Sequence, residues 1–291
     1  MDFNKEIKLA ISSSTYINLN SITAAPTVGT PFSGYLVEGV SYANSGVSGY
    51  VDALAQRDGY EADIAVLGSR SIQMVVQVYG SSAADFHDKL NAVNAALEPY
   101  PSYATATDGF RALDFYQPTI SYAAYSATGI PMRINVRPAA LPSYNLANDP
   151  TTPRTTDRGI STKVSLALVA KDPRKISQNA TTGVMSAGTT TSLVNNGNYL
   201  AYPTITFVNA GAQQTATISS SIFTTVVILP SASTVVLNSL DRTVKVGTTL
   251  RMDLVGGATT IFPYLLAGTR SITLSSLTSV TTTYSFNEAW L

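Results

Sequence analysis

Few side chains in this 291-residue chain have the type and spacing for chemistry. His87 is the single histidine, and there is no cysteine. A His-based triad or a site of several histidines therefore lacks material, as does a disulfide framework or a thiolate nucleophile. His87 follows Phe86 in a run with helical spacing, and no nucleophile stands at a recognisable distance from it. An exposed helix position is expected. The run "RDGYEAD" carries Asp58, Glu61 and Asp63, and carboxylates beside a glycine can hold calcium. Their spacing does not match a calcium loop, whereas Asp58-Gly59 is a turn signal between strands. "DRTVKVG", Asp241 to Gly247, alternates Thr243 and Lys245 with Val244 and Val246. It reads as a hairpin strand closing at Gly247, with a polar ligand groove as the functional alternative.

Tyr100, Tyr103, Tyr116, Tyr122 and Tyr125 crowd the middle of the first half. Tyrosine joins a large apolar face to a polar tip and favours contact surfaces. Paired glycosidase acids can lie far apart in sequence, yet the second half offers only Asp241, Asp253 and Glu288. There is no phosphate-cradling glycine loop, no nucleophile elbow and no basic-aromatic stripe for nucleic acid. No catalytic residue, cofactor or metal is expected.

Around these residues the totals are restrictive. Net charge is zero, so no general attraction to nucleic acid or anionic membrane is expected. Charged residues are 12% of the chain, about half the ordinary share, which suits a subunit covered by neighbours. The opening "MDFNKEIKLA" has no apolar core of the kind a secretory signal needs. No run reaches the roughly 18 apolar residues of a membrane helix. Asn179-Ala180-Thr181 fits a glycosylation triplet, and without a signal it is read as chance.

The elements that must position any site are mostly strands. Ile72, Met74, Val76 and Val78 alternate with polar residues, as do Met132, Ile134 and Val136, and Val164, Leu166 and Leu168. One segment has helical spacing: Phe86, Leu90, Val93 and Leu97 form a stripe. Ser82 and Asp85 resemble a capping box, and Pro99 and Pro101 forbid continuation. A single helix over residues 83–98 is predicted, lying on a sheet. Residues 139–159 hold three prolines and read as a long loop or arm. From Gln178 to Leu240 no residue is charged. Thr, Val and Ile dominate there, with Gly and Asn breaks every 8–12 residues or so, as in a sandwich or jelly roll. A domain boundary is expected within 177–194, with Asn195-Asn196-Gly197 as the opening turn of the second domain and Pro203 starting an edge-type strand.

Several short motifs follow one another in a fixed order. "LALVAKDPRKIS" ends the first β-rich part, and "NNGNYLAYPTITFVNAG" opens the charge-poor part. "TVVLNSLDRTVKVGTTLRMDLV" and "IFPYLLAGTRSITL" follow, and a strand ending "FNEAWL" closes it. In layout and order the chain resembles the distal tail proteins of bacteriophages with long, flexible, non-contractile tails. The late turn departs from the family, reading Ala267-Gly268-Thr269-Arg270 where Pro-Gly-x-Asn is frequent.

The resemblance implies a mainly β fold. An N-terminal β-sandwich or split-barrel domain with one helix would cover residues 1–180. A C-terminal jelly-roll sandwich, similar to galectins and carbohydrate-binding modules, would cover 190–291. It implies a structural protein of the virion, made in the host bacterial cytoplasm and sited at the distal end of the tail. Such proteins form a hexameric baseplate hub ring. The first domain lines a channel for genome ejection, through which DNA passes unread, and the second points outward. The implied partners are copies of the chain itself, the tail tube protein, tip hub or fibre and receptor-binding proteins, and the tape measure protein. No membrane insertion is implied. A C-terminal domain that attaches to host-surface carbohydrate is the alternative, with Tyr199, Tyr202 and Tyr264 as the speculative sugar contacts. Tyr284 and Trp290 are further aromatics, some with packing roles. Another tail-tube or minor tail subunit is the nearest structural alternative.

Overall fold

Ile72, Met74, Val76 and Val78 are buried along one face of a single strand, Arg70–Gly80. The same holds for Met132, Ile134 and Val136 and for Val164, Leu166 and Leu168. Alternation of period two thus becomes sheet with one face in the core. The computed structural model describes residues 6–11, 15–21, 32–43, 47–48, 51–53, 60–62, 66–98, 109–121, 124–144, 160–256 and 260–291. Two compact units divide the chain, Met1–Pro173 and Arg174–Leu291. The division falls ahead of the 177–194 stretch expected to hold it. The reason is a strand, Lys175–Met185, that is built into the sheet of the second unit.

In the first unit the strands are β1 (Lys8–Ala10), β2 (Tyr16–Asn18), β3 (Gly34–Tyr42), β4 (Val47–Ser48), β5 (Val51–Ala53), β6 (Tyr60–Ala62), β7 (Val66–Leu67), β8 (Arg70–Gly80), β9 (Arg111–Ser121), β10 (Ala124–Pro138), β11 (Ser143–Tyr144) and β12 (Ile160–Ala170). The main sheet runs β2-β1-β9-β10-β12-β8-β3, antiparallel throughout. Two small ribbons, β4–β7 and β5–β6, stand apart from it. Asn20 draws the two sheet edges together. It is fully buried just beyond β2, and its Oδ1 accepts from Val37 N on β3 at 3.1 Å. Tyr35 N adds a bond to Ser21 Oγ at 3.0 Å. On the outer face Arg133 makes a two-pronged pair with Asp114, its register partner, at 2.7 and 2.8 Å.

Among the described residues there is one α-helix, α1, Ala83–Ala96, which buries Phe86, Leu90 and Val93, with its C-cap Leu97 buried as well. It stops two residues short of the expected end, and Pro99 and Pro101 lie outside the described residues. Ser82 caps it, accepting from Asp85 N at 3.2 Å. Asp85 reaches back to Ser81 rather than Ser82, accepting from its N at 2.8 Å and its Oγ at 3.0 Å. At the other end the buried Arg111 guanidinium donates to Ala96 O and, at 2.7 Å, to Glu98 O. A cation there satisfies carbonyls that the helix leaves open and opposes its dipole. The loop expected over 139–159 is interrupted early, since β11 pairs Val164 and Ser165 of β12. Residues 145–159 lie outside the described residues.

In the second unit the strands are β13 (Lys175–Met185), β14 (Thr190–Asn195), β15 (Thr204–Asn209), β16 (Gln214–Ser219), β17 (Thr224–Leu229), β18 (Ser233–Asn238), β19 (Thr243–Val246), β20 (Thr249–Leu250), β21 (Val255–Gly256), β22 (Gly268–Leu274) and β23 (Val280–Trp290). One sheet runs β13-β23-β15-β18-β19-β20. The other runs β14-β22-β16-β17-β21. Between them lies one core, with Ile205, Phe207, Leu237 and Phe286 from the first sheet and Ile218, Leu229 and Ile272 from the second. The described residues are thus mainly β with one α-helix, as the alternation and single apolar stripe imply.

Pro203 corrects one expectation. It stands just before β15, which is not an edge strand but lies between β18 and β23. One residue outside the ladder, its missing N–H is not required, and its carbonyl accepts from Ser239 N at 3.2 Å.

The hydrogen bond from Ser81 N, first among several causes, holds the Asp85 carboxyl down to about 2. A lowered folded value means that the charged form stabilises the fold. That contribution is full above the ordinary value of 3.8 and is lost as pH falls through about 2. Asp85→Asn is expected to cost about 1 kcal/mol at neutral pH. Urea denaturation across that acid window should show the gap between variant and wild type closing. A gap independent of pH would contradict this account of the cap.

Candidate functional site

"NNG" after β14 is where the second unit organises its surface. Asn195 ends β14 and is buried. Its Oδ1 accepts from Gly197 N at 3.1 Å, a side-chain-closed turn. Its Nδ2 donates to Tyr199 O at 2.8 Å and Leu265 O at 3.2 Å, joining two distant segments. Asn196 donates from its N and Nδ2 to Glu288 of β23. Gly197 lies against β23 so closely that an added Cβ would stand 2.1 Å from Ala289 O. Tyr199 N then donates to that same carbonyl at 3.1 Å. The motif is therefore the end of one sheet clamped to the centre of the other. It is not simply an opening turn.

From that clamp the chain passes Ala201, which pairs Leu265 through N–H···O bonds of 3.0 and 2.8 Å. The two segments so joined wall a groove of about 390 Å3. Leu200 and Tyr202 come from one wall, Thr260, Ile261, Phe262 and Tyr264 from the other. Ser239 and Arg242, in the turn between β18 and β19, complete it. The second wall is anchored to β17 by Ile261 N to Thr224 O at 3.0 Å and by the buried Thr225 hydroxyl on Ile261 O. The volume lies within the about 300–1,000 Å3 of ordinary ligand pockets.

The groove lining contains aromatic faces, one cation and no carboxylate. Arg174 lies over the Tyr202 ring, its guanidinium carbon 5.0 Å from the ring centre. Tyr264 leans on Phe223 with ring centres 6.0 Å apart. Ser239 is 2% exposed and its Oγ has no hydrogen-bond partner. Arg242 is exposed, sits at a left-handed φ of 52° and has no hydrogen bond or ion pair among the described residues. Its neighbour Asp241 is engaged elsewhere, accepting from Asn238 Nδ2 at 2.8 Å.

Tyr202 and Tyr264, anticipated as sugar contacts, thus share this groove. Tyr199 is not among its lining residues and is held through its backbone. Tyr284 packs against the sandwich core, its ring covering Gly183 across the strand pair. His87 is exposed on α1 with its ring edge-on to Phe86, 5.8 Å between centres. Asp58 and Asp63 lie outside the described residues, and Glu61 is described only as part of β6. Of the tyrosine group, Tyr100, Tyr103 and Tyr122 lie outside them, and Tyr116 is half-buried on β9. "DRTVKVG" forms the hairpin strand β19 and closes at Gly247, with φ of 60°. Ser239 was not anticipated, and Arg242 was not singled out, although it belongs to the "DRTVKVG" run whose functional alternative was a polar ligand groove. Asn238, whose Oδ1 accepts from Leu240 N at 3.0 Å and Asp241 N at 3.2 Å, marks their turn. Among the described residues no group of three or more His, Cys, Asp or Glu could hold a metal, and no helix is long and apolar enough to cross a membrane.

Fold and site together define a two-unit, mainly β protein whose second unit carries a groove lined by aromatic faces and one cation. No family model and no curated protein matches the chain. Among solved structures, it is similar to the Dit protein (gp 19.1) of phage SPP1, described as a paradigm of the hub adsorption apparatus in phages infecting Gram-positive bacteria. The likeness covers 88% of this chain and 94% of that one, at a TM-score of 0.58 and 14% identity. Two phage P2 baseplate structures in the activated conformation also match, each over 97% of both chains at 11% identity. The calcium form has a TM-score of 0.45 and the strontium form 0.42. The chain therefore has the fold of the SPP1 hub protein across both units.

The Gly197 contact gives a direct check. Gly197→Ala places a methyl against a backbone carbonyl that cannot swing aside, and should destabilise the protein by about 1–3 kcal/mol or more. Chemical denaturation measures it, with Gly39→Ala, where nothing lies within 4 Å of the added Cβ and the backbone is not left-handed, as the comparison for open space. Equal cost at the two positions would contradict the clamp.

Proposed function

We propose that this chain is a structural subunit of a bacteriophage tail tip, a distal tail protein. In this reading it assembles as a hexameric hub ring that joins the tail tube to the receptor-binding apparatus. The observation that carries the reading is the likeness to the SPP1 Dit protein, which runs through both units in one chain. The order of short motifs supports it independently. The physical character of the chain agrees: few charges, exposed apolar side chains such as Val184, Val208 and Leu250, and antiparallel sheets that end in open edges. Closed rings need two different complementary faces on each subunit, and edge strands pair readily across subunits.

The mechanism is assembly rather than catalysis. Tail tube protein would sit on one side of the ring, hub or fibre proteins on the other, with the tape measure protein and then DNA passing the central channel. DNA would pass without sequence readout. A second reading adds a role for the outer domain, attachment to host-surface saccharide. The observation favouring it is the groove that brings Tyr202 and Tyr264 together, since aromatic faces with polar groups beside them suit sugar rings.

Negative-stain microscopy of the purified full chain should show closed rings with six-fold averages, alone or on addition of tail-tube subunits. A species that stays monomeric at high concentration with and without those subunits would overturn the reading.

A further inference from the structure

We infer that the groove of the second unit takes an anionic saccharide, with Tyr202 and Tyr264 offering ring faces and Arg242 the counter-charge. This rests on the saccharide reading of the groove and narrows it to one chemical class.

Charge is the first reason. The acids of the second unit, Asp241, Asp253 and Glu288, number half its lysines and arginines. Each acid is already engaged. Asp241 accepts from Asn238, Asp253 pairs with Arg251 at 2.8 Å, and Glu288 accepts from Asn196. Arg242 makes no ion pair among the described residues, and no carboxylate lines the groove. The preceding stretch from Gln178 to Leu240 has no charge at all, so beyond Asp241 few sequence neighbours on that side offset the field of Arg242. A guanidinium presents a planar donor fork that fits a carboxylate, sulfate or phosphate group, and a neutral sugar would leave that fork unused.

Geometry is the second reason. Asn238 ties down the turn before Arg242, and Ser239 N is bonded to Pro203 O beside Tyr202. The cation is thus attached to the same wall as the aromatic face. Arg174 over Tyr202 adds positive charge beside that ring and helps fix its plane. Ser239 supplies a hydroxyl that is buried, unpartnered and part of the lining. A buried hydroxyl without a partner is costly, and a ligand hydroxyl or acid group that reaches it relieves that cost.

The test uses the full chain and calorimetric titration with matched pairs: uronate oligomers against their neutral counterparts, and sialyllactose against lactose. Wild type should bind the acidic member of each pair more tightly, and rising salt should weaken that preference. Arg242→Gln should weaken acidic ligands about tenfold or more and leave neutral ones unchanged. Tyr202→Ala should weaken both members of each pair. Circular dichroism confirms that the variants are folded. Equal affinity for acidic and neutral members, unchanged by Arg242→Gln, would overturn the anionic assignment while leaving a neutral saccharide site. No binding by any member would overturn the saccharide reading and this inference together.

Discussion

The second unit depends on one strand more than on any other. β23 lies between β13 and β15 and sends Phe286 into the core. It also receives the clamp: Asn196 bonds Glu288, Gly197 abuts Ala289, and Tyr199 N donates to Ala289 O. Asn287 Nδ2 donates to Ser177 O at 2.7 Å, beside the register shift between Ile176 and Ala180 in β13. The strand is thus held by two ladders and by side-chain bonds from both flanks. One wall of the groove leads from it, since the residues after Gly197 run from the clamp to the Ala201–Leu265 pair. Asn209 repeats the device at the end of β15, accepting from Gly211 N at 3.0 Å while donating to Ala212 O and Pro230 O. A buried asparagine whose amide satisfies several carbonyls at once allows a strand to stop inside the fold without orphaned backbone groups.

In the first unit the same requirement is met by other residues. Arg111 closes the exposed carbonyls of α1, Asn20 bridges β2 to β3, and Tyr35 donates its hydroxyl to Lys89 O at 3.0 Å. Burial pushes the Tyr35 hydroxyl up to about 12, so it stays a donor across the physiological range. The sheet and its one helix are therefore joined by polar contacts as well as by the stripe of Phe86, Leu90 and Val93.

The parts of this fold legible in the sequence are those with local periodicity. Strands such as β8 and β12 announce themselves through alternating apolar residues, and α1 through its stripe. What local pattern cannot carry is pairing at long range. Nothing near residue 195 says that Gly197 will meet Ala289, so the motif reads as a loop opening and not as a clamp. The division after Pro173 is hidden for the same reason, since only the pairing with β23 assigns β13 to the second unit. Pro203 suggests an edge strand until both neighbours of β15 are known. At the groove, aromatic residue type points to Tyr202 and Tyr264. Ser239 escapes notice because a serine in a turn looks ordinary until the chain folds it against Pro203, and "DRTVKVG" offers a polar groove as its alternative without marking Arg242 as the residue that would line it.

Low charge, open sheet edges and a fold shared with a phage hub protein fit together as one account, in which the chain works by being surrounded. Its first unit offers a broad sheet, and its second carries a groove with no acid in its lining. The central claim is the place of the protein in a virion. Antibody raised against the chain and detected by gold labelling on intact particles tests it most directly. The account predicts label confined to the distal tip of the tail, where the tube meets the adsorption apparatus. Label along the whole tube, on the capsid or on no particle at all would contradict it.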